Sequence, residues 1–412
     1  KFHTGKTQKR RFSFLFEPPK AAWRIIMEAY LDNAATTSVF PEVADIMFKV
    51  MKEDYGNPSS KHTRGMEAER YINNAAEDIA SLLKCQTKEI IFTSGGTESN
   101  NMALIGAALA NKRKGMHIIT TSIEHASVHE PLARLEEQGF EVTYLPVGKN
   151  GILDETVLED ALREDTILVS VMYVNNEIGS VQDINKLCNI VKKKDNSILF
   201  HTDAIQAYGK YRIIPKKLGA DLVSVSGHKI HGPKGSGFLY VKDKTKIHPL
   251  ILGGGQQRGM RSGTENVPAI AGLGLASRLI YSMEDHVEKM YALKKQFIDR
   301  VKELGGITIN GIDNIPLEET APHIISVLFE GTRSEVLLHA LAAKGIYVSS
   351  GSACSSNHPE LSGTLKAAGV KDSLLDSALR FSFSVFTTKE QIDYTIDVLA
   401  EELPVLRKFT RK

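Results

Sequence analysis

From about Glu89 onward the chain alternates short, nearly continuous apolar runs with segments of helical periodicity, and this alternation constrains the fold more than any single residue does. EIIFTS leads into ESNNMALIGAALANKRK, MHIITTS into ASVHEPLARLEEQ, and FEVTYLP into LDETVLEDALR. TILVSVMYV, DINKLCNIVKKK, SILFHTD, DLVSVSGHK and GFLYVKD continue the series. Runs that are apolar at every position suit strands buried on both faces, so the pattern predicts an α/β domain with a mostly parallel sheet between two helical layers. Ligands of such sheets gather at the strand ends.

The periodicity then changes. Between Val267 and Leu304, Met283, Val287, Met290, Phe297, Val301 and Leu304 are spaced by threes, fours and sevens, which predicts one long connecting helix. Beyond it HIISVLFEG, SEVLLHALAAKG, YVSS, ALRFSFSVF and a last helical stretch predict a smaller α+β unit, with Thr388 and Gln391 as a capping box opening the final helix. We expect residues 41–282 to form a large domain, 283–412 a small C-terminal one and 27–40 a segment packed on the small domain.

Composition narrows the class. With 412 residues, 42% hydrophobic and 24% charged, the chain is long and apolar enough for a large core. No apolar run approaches the roughly 18 residues of a membrane-spanning helix. The net charge of +2 is uneven: the first 26 residues carry seven Lys or Arg and one Glu, which leaves 44 basic against 48 acidic residues in the rest. A mildly acidic body argues against a nucleic-acid or membrane surface. The basic stretch is read as a tail outside the fold, with Met27 as a candidate start, in preference to a targeting leader. Three cysteines make no disulfide framework, so a reducing compartment, the cytoplasm, is expected. Cys85 and Cys188 lie in helical patterns and read as small buried hydrophobes.

Several strand ends carry reactive groups. Ser94-Gly95-Gly96-Thr97 joins a strand to a helix, where backbone N–H groups and a hydroxyl could meet an anion, although a tight turn alone would explain it. Lys229 ends the run SVSGHK; it is either an ordinary solvated cation, with a pKa about 10.4, or a Schiff-base lysine. Asp203, followed by Gln206, could pair with a protonated pyridine nitrogen or simply cap a helix. His125 could stack on a flat ring or serve the structure. Cys354 sits in SSGSACSSNHPELSG, whose composition predicts a loop that could carry an exposed thiol.

Taken together and in order, YLDNAATT, GNPSS, FTSGGTESNN, EHASV, VNNEIG, HTDAIQA, SVSGHKIHGPKGSG, GGGQQRGMRSGTEN and SSGSACSS resemble the NifS/IscS-like cysteine desulfurases of the class V aminotransferase group, over roughly residues 29–409. The resemblance implies the fold type I of pyridoxal-phosphate transferases, with a seven-stranded sheet in the large domain. It implies that Lys229 binds pyridoxal 5'-phosphate covalently and that Gly96, Thr97, Ser226 and His228 hold the phosphate. Thr264 would reach in from the partner subunit of a homodimer. Asp203 would pair with the pyridine nitrogen, Gln206 with the ring hydroxyl oxygen, and His125 would stack on the ring and shuttle protons. Asn176 and Arg380 would orient the substrate, L-cysteine, and Cys354 would take its sulfur as a persulfide. The acceptor implied is an iron–sulfur scaffold protein or a sulfur carrier for tRNA thiolation; metal ligands and direct nucleic-acid contact are not implied. A selenocysteine lyase or a transaminase on the same scaffold, and a non-catalytic sulfur-trafficking partner, are the competing readings. The chain departs from the family pattern at FSFSVFTT after Arg380 and at the second Gln of GGGQQRG.

Overall fold

The computed structural model of the protein describes residues 27–312, 315–350 and 361–409. A short strand, β1 (Ala29–Tyr30), precedes a central sheet built from β2 (Ile90–Thr93), β3 (His117–Thr121), β4 (Glu141–Leu145), β5 (Thr166–Ser170), β6 (Leu199–Asp203), β7 (Leu222–Ser226) and β8 (Gly237–Val241). The spatial order is β2-β8-β7-β6-β5-β3-β4. Every neighbouring pair is parallel except the two that involve β8, so the sheet is mixed but mostly parallel, as the strand composition predicts. Strands β2, β3, β5 and β7 are buried at every residue, whereas β4, at the edge, exposes Glu141 and Tyr144. That is the difference between a strand covered on both faces and one that meets water.

Local signals place the helices around this sheet. The helix Ile184–Lys194 starts where the Asp183 side chain accepts from the Lys186 N–H, and ends in three lysines that complement its negative pole. Its buried residues Ile184, Leu187, Cys188 and Val191 follow the three-four spacing. The helix Gly96–Asn111 is apolar around most of its circumference because it crosses the sheet, packing on β5, β6, β7 and β8.

The long connecting helix is where sequence and structure part. Two helices, Val267–Ser282 and His286–Lys302, stand in its place, with Met283 extended and Asp285 left-handed at φ 54°. The break redirects the chain between two cores. Ile270, Leu273 and Ala276 pack with the sheet-side cluster, and Gly274 lies so close to the helix Thr63–Leu83 that a Cβ would stand 2.6 Å from Ala75. Met290, Phe297 and Val301 pack instead with the C-terminal strands. His286 pins the corner, its ring nitrogens bonded to Met283 O (2.9 Å) and Gly209 O (2.8 Å). A period of three and four is blind to such a corner because both halves keep it.

The C-terminal part contributes β9 (Ile307–Asn310), β10 (Ile324–Phe329), β11 (Ile346–Tyr347), β12 (Ser349–Ser350) and β13 (Ala378–Ser382). Antiparallel pairing gives the order β12-β13-β10-β9, while β11 pairs in parallel with β1. Thr388 and Gln391 form the reciprocal cap expected: each backbone N–H donates to the other's side chain, at 3.0 and 3.3 Å. Ala29 and Leu31 share a core with Phe297, Ile325 and Phe381. We propose, on that packing, the division expected from the sequence into residues 41–282 and 283–412, with Ala29 and Leu31 counted with the C-terminal unit, whereas Ala34 and Phe40 pack with the sheet-side cluster.

Candidate active site

The carboxyl ends of β2, β3, β5, β6 and β7 open on one cleft of about 300 Å³. Its walls include Gly96, Thr97, His125, Asn176, Asp203, Gln206, Ser226, His228, Lys229 and Arg380. Gly96 and Lys229, 133 positions apart, meet there because parallel strands present the same end to one side of the sheet, and Arg380 joins them from β13 of the C-terminal sheet.

Lys229 closes a single 3-10 turn, Gly227–Lys229, that follows β7. Its Nζ donates to the carbonyl oxygens of Ala34 (2.6 Å) and Ala35 (2.7 Å), so the segment after β1 positions it. Lys210 adds a second ammonium behind it, donating to Lys229 O at 2.8 Å; burial first, and the Lys229 charge second, lower its pKa to about 7. His228 is also drawn down, to about 4, by burial and then by Lys229, Lys234 and Lys210, and its Nδ1 lies 3.2 Å from Thr36 Oγ1.

Asp203 ends β6 with 4% of its surface exposed. Its Oδ1 accepts from the Ile205 N–H (2.9 Å) and its Oδ2 from Asn100 Nδ2 (2.8 Å). Burial raises its pKa; the two hydrogen bonds and the Lys229 charge oppose the rise. No helix starts at Asp203, so it closes a turn and caps no helix, and its carboxylate lines the cleft. His125 combines roles in the same way. It caps the helix Ala126–Glu136 by accepting from the Ser127 N–H (3.0 Å) and lines the cleft as well. Gln206 donates to Ala34 O (2.9 Å) and lies 3.1 Å from His323 Nε2, so its amide is already held from two sides.

Arg380, in β13, is no surface cation. It is 6% exposed, donating from Nη1 to Asn176 O and from Nη2 to Asp32 Oδ1, both at 2.9 Å, and its Nε is buried without a partner. Two predicted residues are not among these walls. Thr264 is exposed and does not line this cleft, and Cys354 lies outside the described residues. The strand that leads toward it, β12, places Ser349 opposite Arg380.

Sequence reasoning assigned no role to Asp32, Ala34, Asn100, Ser127 or Glu124, although the quoted motifs contain all five. Their parts depend on contacts across distant sequence, such as Asn100 to Asp203, which periodicity cannot reveal. Glu124 is buried beside His125. Its Oε1 accepts from Thr121 Oγ1 (2.7 Å) and the Met172 N–H (2.8 Å), and burial raises its carboxyl to about 8. Cys188 is buried and Cys85 half-buried; burial raises both thiols, Cys85 to about 12, which leaves neither a ready nucleophile.

The donor set fits a phosphorylated pyridine cofactor. The sixteen-residue helix Gly96–Asn111 turns its N-terminus to the cleft after Gly95 at φ 150°, and a Cβ on Gly96 would lie 2.1 Å from Ile205 Cδ1. A buried carboxylate at Asp203 suits a protonated ring nitrogen, and the orphaned Arg380 Nε suits a carboxylate.

The family model for aminotransferase class-V matches residues 29–395. A cysteine desulfurase IscS of Dictyoglomus turgidum is 46% identical over 382 residues, 92% of this chain and 95% of that protein. Among solved structures, a NifS-like protein superposes with a TM-score of 0.86 at 38% identity, covering 92% of this chain and all of that one. SspA in complex with cysteine superposes with a TM-score of 0.76 at 34% identity over 87% of this chain and all of that one. The cleft, the sheet order and these likenesses agree, and the chain belongs to the class-V aminotransferases, among the cysteine desulfurases of the IscS and NifS-like kind.

Proposed function

We propose that this chain is a pyridoxal-phosphate-dependent cysteine desulfurase, which converts L-cysteine to L-alanine and passes the sulfur to Cys354. The observation that carries the reading is the convergence of Lys229, Asp203, His125 and Arg380 on one cleft, in a chain of the desulfurase family.

Gly96, Thr97, Ser226 and His228 would hold the phosphate, Asp203 the ring nitrogen and Gln206 the ring hydroxyl oxygen; the bound cofactor supplies an electron sink for the substrate's α-carbon. Arg380 grips the substrate carboxylate, with Asn176 beside it. Lys229 Nζ takes the α-proton, and the carbonyls of Ala34 and Ala35 fix where that amine starts. His125 moves a second proton within the cleft. The Cys354 thiolate then attacks the substrate sulfur: a C–S bond breaks, an S–S bond forms, and a C–H bond forms at the carbon that lost sulfur. Cysteine and thiol together hold the atoms of alanine and persulfide, so no outside oxidant is needed. The persulfide passes to an iron–sulfur scaffold or a sulfur carrier.

A homodimer is part of the reading. Phe48 and Met51, on the helix Pro41–Lys52, are more than half exposed, as is Met66 near the start of the helix Thr63–Leu83; Leu252 is 77% exposed. Exposed apolar side chains of this kind suit a second copy, and Thr264 could then complete the cleft of that copy. Among the described residues no helix is long and apolar enough to cross a membrane, and no cluster of His, Cys, Asp and Glu could hold a metal ion.

The test is to load the protein with cofactor, supply L-cysteine and a reductant, and measure alanine and sulfide. Equal amounts are expected, lost in Cys354→Ala, together with a visible absorbance band lost in Lys229→Ala. Undiminished sulfide from Cys354→Ala would refute the persulfide step, and a wild type with no band would refute the enzyme.

A further inference from the structure

Four side chains, three of them in the cleft wall, form one hydrogen-bonded line. Asp203 Oδ2 accepts from Asn100 Nδ2 (2.8 Å), Asn100 Nδ2 also reaches Ser127 Oγ (2.9 Å), and Ser127 Oγ lies 2.8 Å from His125 Nδ1. They come from β6, the helix Gly96–Asn111, and the cap and first turn of the helix Ala126–Glu136.

The direction of each bond follows from counting protons. Asp203 Oδ2 accepts, so the Asn100 amide must turn its nitrogen toward it; the reverse orientation would set two acceptors face to face. That choice is made although Asn100 Oδ1 is left buried without a partner. One amide hydrogen goes to Asp203 and the other to Ser127 Oγ. The Ser127 hydroxyl, now an acceptor from Asn100, turns its own hydrogen to His125 Nδ1. The Ser127 backbone N–H donates to the same nitrogen at 3.0 Å. With two donors aimed at it, Nδ1 has no room for a proton, and the ring's single hydrogen stands on Nε2.

We propose that Asn100 and Ser127 are positioning residues that lock His125 in the neutral Nε2–H form, so that this imidazole enters the reaction as a proton donor at Nε2 and leaves the first proton abstraction to Lys229. The carboxylate of Asp203 is the far end of the line, so the residue that would hold the cofactor's ring nitrogen also sets the tautomer of the imidazole. The groups with charge around His125 are Asp203, Lys229 and the neighbouring His129. Burial first, and Lys229 third, hold its pKa below the ordinary value, while Asp203 works the other way, which agrees with a neutral ring. The assignment of chemistry rests on the desulfurase reading; the tautomer does not.

Nitrogen-15 NMR of the imidazoles in the cofactor-free full chain tests it, with the His125 signal picked out of the thirteen histidines by comparison with His125→Gln. The expected wild-type signal is the neutral Nε2–H tautomer. In Ser127→Ala one donor to Nδ1 is gone, and in Asn100→Ala the Ser127 hydroxyl is free to reverse and accept. Both should populate Nδ1–H and move the titration of His125 upward, and Ser127→Thr, which keeps the hydroxyl, should restore the wild-type spectrum. In the loaded enzyme Ser127→Ala should lower kcat about tenfold with KM for L-cysteine within about twofold, below the full worth of a proton-transfer group. A wild-type His125 protonated at Nδ1 would overturn the proposal, as would an unchanged tautomer in both variants. Should one variant fail to fold, the tautomer in the other decides. Failure of the desulfurase reading looks different: loaded wild type yields no alanine while the tautomer stands as described.

Discussion

Arg380 Nη2 and Asp32 Oδ1 lie 2.9 Å apart, a nearly buried ion pair that joins β13 to the segment just after β1 across 348 residues. With Nη1 held by Asn176 O, two of the three guanidinium nitrogens hold the side chain still while Nε is buried without a partner.

Arg380→Lys should therefore weaken substrate binding more than turnover. A lysine cannot reproduce the fork that meets Asp32 and Asn176 together and still face a carboxylate. We expect KM for L-cysteine to rise about tenfold or more, with a smaller fall in kcat, read from steady-state kinetics. An unchanged KM would remove Arg380 from the substrate site.

Gly96→Ala tests the cofactor cradle. The added Cβ would stand 2.1 Å from Ile205 Cδ1 and 3.5 Å from Ser226 Cβ, so the helix N-terminus or Ile205 must move. Overpacking of this kind costs about 1–3 kcal/mol. If the strain falls on the cradle, the dissociation constant of pyridoxal phosphate rises about tenfold for each 1.4 kcal/mol, measurable by absorbance titration. Tight cofactor binding in the variant would place the phosphate elsewhere.

Glu124 predicts a pH dependence of stability. Burial, the dominant cause, raises its carboxyl from an ordinary 4.5 to about 8. Between those values the folded protein keeps a proton that the unfolded chain has lost, so stability from this group is full below about pH 4.5, falls as pH rises and levels off above about pH 8. Glu124→Gln keeps a neutral group able to accept from Thr121 and Met172. Denaturant unfolding over this range should show a flatter profile for the variant and greater stability than wild type at about pH 9. Parallel profiles would mean that Glu124 is already ionised in the fold.

The dimer is tested at the exposed helix Pro41–Lys52. Phe48→Glu combined with Met51→Glu should sediment as a monomer where wild type sediments as a dimer, and should bind cofactor more weakly for want of Thr264 from the partner subunit. A monomeric wild type with full activity would discard the homodimer.

The α/β class, the cap at Thr388 and the burial of Cys188 were legible in the chain because each depends on residues only a few positions apart. Strand runs report burial on both faces, and a capping box closes within one turn. The positions of Lys229, Asp203, His125 and Arg380 were legible too, through long ordered motifs, but their surroundings were not. Only the tertiary structure decided that two carbonyls of the Ala34–Ala35 segment seat Lys229, that Asp32 anchors Arg380, that Asn100 ties Asp203 to His125, and that the helical stretch near Met283 turns a corner between two cores. Each of these is a pairing or a change of direction set by what packs nearby. Hydrophobic period records which face of a segment is buried, and not what lies opposite it.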